Sequence, residues 1–88
     1  MNNYNLNEFY RLIGDNIKKT RLEHKDSQET LAEKIDMSRG FLSQIESPGL
    51  CVGVSLDTLF KICMTYNIDI RDLFNGFEEF LNKNNSSN

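Results

Sequence analysis

Apolar residues recur at intervals of three and four over most of this chain, the period of a helix with one buried face. Phe9, Ile13 and Ile17 set a first stripe and predict a helix from about Asn7 to Glu23. Leu31, Ala32 and Ile35 set a second stripe, and Leu42 and Ile45 a third. Between the last two lies Asp36-Met37-Ser38. Aspartate tolerates the left-handed conformation that ends a helix, and Ser38 can cap the next one by accepting from its orphan N–H groups. Ser27 is the matching cap before Gln28. Helices of roughly two turns are unstable alone in water, so the corner from Gln28 to Glu46 must pack on other helices. It leaves one face of its second helix open. Further on, Ser55 predicts the cap of a helix with Leu56, Leu59, Phe60 and Cys63 inward. Asn67 is its left-handed stop, and Asp69 caps a short helix bearing Ile70, Leu73 and Phe74.

With Leu42 and Ile45 inward, the outer side of the second corner helix centres near Gly40 and carries Ser43, Gln44 and Ser47, with Arg39 on its flank. These groups suit base edges: Arg pairs with guanine, Gln with adenine, Ser with either. A plain solvated face would use similar residues, and the rigid corner is what favours the first reading.

Past Gly76 the chain offers Phe77, Phe80 and Leu81 at helical spacing, after Phe74. A small core has difficulty covering all four, so Phe74, Phe77, Phe80 and Leu81 are expected to form a homodimer interface; the alternative is that this tail folds back over the first helix. The stretch SPGLCVGVS between the corner and Ser55 reads as a loop, yet Leu50, Cys51, Val52 and Val54 make it apolar. Those residues either tuck into the core, the favoured reading, or contribute to a subunit contact. The expected organisation is a flexible segment 1–6, one domain over 7–81 and a disordered, Asn-rich tail over 82–88.

The segments IGDNIKKTR, SQETLAEKIDMSRGFLSQIE, SLDTLFKI and NIDIRDLF together resemble the lambda-repressor-like (XRE) helix-turn-helix family, from about Ile13 to Phe74. The most specific part is S-Q-x-x-L-A-x-K-I followed by S-R-x-x-L-S-Q-I-E. The resemblance implies an all-α, compact five-helix DNA-binding domain, here with a C-terminal helical extension. It implies that Arg21, on the stripe of the first helix, pairs with Glu46, and that Gln28 bonds a DNA phosphate at the positive end of its helix. Arg39, Gln44, Ser43 and Ser38 are the expected base contacts, and Lys18 and Lys19 join Gln28 as backbone contacts. The expected partners are operator DNA and a second copy of the chain, as in compact phage or mobile-element repressors and restriction–modification controllers. The sequence also departs from family habit. Lys25 stands where glycine is common, Asp26 where an apolar residue often packs, and Thr30 where glutamate would complete a capping box. The loop after Glu46 is about two residues longer and lacks the usual basic residues.

Composition adjusts this picture in three ways. The net charge is −3, which is awkward for a DNA binder, but Arg11 to Glu46 holds seven basic and seven acidic residues, so the acidic excess lies outside the corner. Modest non-specific affinity and reliance on dimerisation follow. No apolar run approaches the ~20 residues of a membrane span, and the N-terminus has no signal-like core, so a cytoplasmic protein is expected. With one histidine (His24), two cysteines (Cys51 and Cys63) outside any C-x-x-C, and no glycine-rich phosphate loop, neither a metal, a cofactor nor catalysis is expected. A rival reading keeps the fold as a protein-interaction module of antitoxin type, without DNA.

Overall fold

The computed structural model describes residues 5–85. They form α1 (Leu6–Glu23), α2 (Gln28–Lys34), α3 (Arg39–Glu46), α4 (Leu56–Tyr66), a 3-10 helix (Ile70–Phe74) and α5 (Phe77–Asn85), with no strand among them. The class is all-α, as the periodicity and the resemblance require.

Five helix starts have a side chain that satisfies an orphan donor. Asn5, Ser27, Ser38, Ser55 and Asp69 accept from the backbone N–H of Glu8, Thr30, Phe41, Thr58 and Arg71 in turn. At the Ser27 cap, where a glutamate is missing, the hydroxyl also donates to Thr30 Oγ1 at 2.9 Å. Left-handed residues close the ends: Lys25 (φ 59°), Asp36 (φ 56°) and Asn67 (φ 54°). For lysine that conformation carries a Cβ–carbonyl conflict that glycine would avoid.

Five elements each bring one fully buried large side chain to a common core: Ile17, Leu31, Leu42, Ile62 and Leu73. α1 is the spine, packed against α3 and the 3-10 helix. A Cβ on Gly14 would collide with the backbone carbonyl of Ile45, so the absence of a side chain sets how closely α1 and α3 approach. Asn16, two residues on, fastens the 3-10 helix to the spine, donating to the carbonyls of Leu73 (3.0 Å) and Asn75 (2.9 Å).

Two expectations need correction. On α4 the inward residues are Thr58, Leu59, Ile62, Cys63 and Tyr66, while Leu56 and Phe60 face out. A strip four apart and a strip three to four apart are both apolar on this helix, and only packing decides which is core. Phe74, Phe77 and Phe80, expected above with Leu81 at a homodimer interface, meet an aromatic neighbour within the chain. They gather on Phe9 of the same chain, with ring centroids 6.3, 5.6 and 6.3 Å away, and Phe77 stacks on Phe80 at 5.6 Å. Phe9, one turn ahead of the core stripe, supplies an aromatic floor that brings the tail back over α1; Leu81 alone of the four is left largely outside this cluster. The other correction is the 48–54 loop, which splits: Val52 and Val54 pack on the core, while Leu50 is exposed. Asn5 caps α1, which begins at Leu6, and α5 runs through residues 82–85. Residues 1–4 and 86–88 of the expected flexible ends lie outside the described residues.

Candidate nucleic-acid interface

The outer face of α3 is formed as a consequence of what its inner face buries. Leu42 and Ile45 enter the core together with Glu46, and Ser38, Arg39, Gly40, Ser43 and Gln44 are all exposed. Ser47, at the C-terminal end, is half-buried. Ser38 Oγ accepts from Phe41 N at 3.1 Å, which leaves its hydroxyl proton for an outside acceptor. Phe41 stands on the flank opposite Arg39 and is partly exposed. The sequence reading left it unassigned, although an aromatic outside the Leu42–Ile45 stripe was a usable signal for apolar contact with a thymine methyl.

Beneath this face lies the pair that fixes α3 to α1. Arg21 donates from Nε and Nη2 to the two oxygens of Glu46, both at 2.8 Å, with the side chains 7% and 2% exposed. Nη1 donates to the Asp26 carbonyl at 2.8 Å. The bond to Glu46 is the main reason that the Arg21 guanidinium is held more firmly protonated than usual, against the opposing effect of burial. Every fork of the guanidinium is thus tied to protein, so Arg21 is a joint and not a reader.

Gln28 departs from the expected phosphate contact in part. Its amide donates inward to Glu46 Oε1 at 3.0 Å, which leaves the second N–H for an outside partner. Gln28 and Arg39 line one open depression of about 380 Å³, with Arg21, Ser27 and Glu29. It runs between the starts of α2 and α3 and brings an amide and a guanidinium to one open hollow. Lys18 and Lys19 are exposed on α1 but do not share it. They line a separate depression with Asp15, Leu22 and Glu23, whose carboxylates offset their charge.

Asp26, the residue that breaks the family's apolar habit, organises the turn before α2. Its carboxylate accepts from Lys34 Nζ and from the Tyr66 hydroxyl, both at 2.8 Å, and Tyr66 stacks on His24 at 4.1 Å. Lys34, then Tyr66, hold the Asp26 carboxyl below its ordinary range, while burial and then Asp26 push the Tyr66 phenol up. The sequence reading flagged Asp26 as a departure but had no signal for Tyr66, forty residues away.

Among the described residues no cluster of His, Cys, Asp and Glu has the makings of a metal site, and no helix is long and apolar enough to cross a membrane. Cys63 is buried and its thiol pushed up by that burial; Cys51 lies in the loop, and neither forms a disulfide.

A family model described as helix-turn-helix matches residues 17–73, from the middle of α1 through the 3-10 helix. The chain is also similar to the control protein C.MunI of a Mycoplasma species. The two are 36% identical over 75 residues, covering 84% of this chain and 99% of that protein.

Proposed function

This chain belongs to the XRE-type helix-turn-helix family of DNA-binding transcriptional regulators, and from that premise we propose that it acts as a homodimer on an inverted-repeat operator. α3 of each copy enters a major groove, with half-sites about one helical turn (~34 Å) apart. Arg39 and Gln44 are the leading base readers, with Ser43 and Ser38 adding contacts. The second N–H of Gln28 holds a phosphate at the depression it shares with Arg39. Lys18 and Lys19 contribute long-range attraction more than direct contact, given the acids beside them. Likeness to a relative named as a control protein favours a controller of the restriction–modification type over a phage repressor.

The observation that carries the reading is the fully exposed polar row from Ser38 to Gln44 on a helix whose other side is locked into the core by Leu42, Ile45 and Glu46. A rigid, open row of hydrogen-bonding side chains is what base readout needs, because each side chain must reach a base edge without first ordering the backbone.

Gel shifts with wild type and Arg39→Ala test it. The wild-type log binding constant is expected to fall linearly with log salt, as phosphate neutralisation requires. Arg39→Ala is expected to lose about 1–3 kcal/mol on the preferred site and to relax discrimination at one base pair. Equal weakening on all sequences would reassign Arg39 to phosphate. No shift even at low salt would favour the protein-interaction reading instead.

A further inference from the structure

Leu56, Phe60 and Met64 are 76%, 61% and 67% exposed on α4, at steps of four, while the opposite side of the helix fills the core. Steps of four keep side chains in one row, here ~12 Å long at ~1.5 Å per residue. The solvent side of a surface helix normally carries charge, and a contiguous apolar strip there marks a contact surface. Phe74, Phe77 and Phe80 gather on Phe9 within the chain, and the exposed residues of that tail, Phe77 (37%) and Leu81 (45%), are each more covered than any residue of the α4 row.

The strip also suggests what covers it. Asp57 and Lys61 lie along one flank, each a single residue past Leu56 and Phe60. In a two-fold pair the same flank of both copies meets with direction reversed. The acid of each copy then approaches the base of the other, so the strip is complementary to itself.

We propose that two copies of the chain pair antiparallel along α4, with Phe60 on the two-fold axis, Leu56 against the partner's Met64, and Asp57 beside the partner's Lys61. This assignment rests on the homodimer reading above and replaces the aromatic tail as its seat. One strip of this length covers less than the ~800 Å² per partner of a standard interface. The dimer is therefore weak and concentration-dependent, which suits a regulator that acts by occupancy.

Sedimentation equilibrium of the full chain over a concentration series tests it, with circular dichroism to verify that each variant is folded. Phe60→Ser is expected to raise the dimer dissociation constant at least about thirtyfold, as loss of a central aromatic anchor does. Leu81→Ser is expected to leave it unchanged. Asp57→Lys and Lys61→Asp should each weaken pairing by about fivefold, and the double reversal should restore it. A wild type that stays monomeric would overturn both this proposal and the homodimer reading. A dimer indifferent to Phe60→Ser but lost in Leu81→Ser would overturn only the α4 face. Charge reversals with no rescue in the double variant would reject the antiparallel register.

Discussion

Gly40 is informative because the fold has no use for it. A Cβ at this position meets nothing within 4 Å, in contrast to Gly14, where one would strike Ile45. Glycine inside a helix is less favourable than alanine by up to about 1 kcal/mol, somewhat less this near the N-terminus. On the proposed reading the α3 backbone approaches DNA closely here, where a Cβ would stand in the way. Gly40→Ala is therefore expected to raise the unfolding midpoint in urea while lowering operator affinity; if affinity is unchanged, the close approach is wrong. Glu46 presents the opposite case, a residue whose value is internal. Glu46→Ala leaves Arg21 buried without its counter-charge and should cost about 3–5 kcal/mol by urea unfolding. Replacing both partners with apolar residues, Arg21→Met with Glu46→Leu, should recover much of that loss, since a buried pair owes most of its apparent worth to the cost of breaking it.

At the scale of elements, the turn between α1 and α2 makes stability depend on pH. Asp26 titrates below its ordinary value in the folded state because Lys34 and Tyr66 bond its ionised form. Its contribution is therefore present above the unfolded carboxylate range and lost as pH falls through that range and below it. Tyr66 has the opposite sign. Its phenol is raised by burial and by Asp26, so its contribution is complete at neutral pH and lost only as pH climbs through the raised value, beyond the ordinary tyrosine range. Asp26→Asn is expected to be less stable than wild type near neutral pH, with the difference shrinking in urea titrations at about pH 3. A constant difference across that range would mean that the carboxylate charge does not act through this turn. Asp69, held at about 2 by Arg71, adds an acid-sensitive cap to the 3-10 helix.

The same elements mark how far the sequence could be read. The corner, its caps and the Asp36 and Asn67 stops were legible because each depends on residues within four positions of itself. The inner side of α4 was not. Leu56-Leu59-Phe60-Cys63 and Leu59-Ile62-Cys63-Tyr66 are both acceptable helical stripes, and the choice depends on which neighbours pack there. The bond from Tyr66 to Asp26, the clash that Gly14 avoids and the inward turn of Gln28 all span distant parts of the chain, where periodicity carries no information.

For the whole molecule, the parts have a clear division of labour. α1 and the 3-10 helix form a frame, the Arg21–Glu46 pair locks α3 onto it, and the polar side of α3 is left outward with Arg39 and Gln28 sharing one hollow. The net charge of −3 gives little general attraction to DNA, so on the proposed reading discrimination rests on the face itself and on two copies acting together. The most direct measurement is selection of bound sequences from random duplex DNA with the wild-type chain. Enrichment of an inverted repeat with half-site centres about 10–10.5 base pairs apart, relaxed at one base pair of each half-site in Arg39→Ala, is the predicted result. Failure to enrich any sequence at low salt, or a motif unaltered by Arg39→Ala and Gln44→Ala, would contradict the claim that α3 is the reading element.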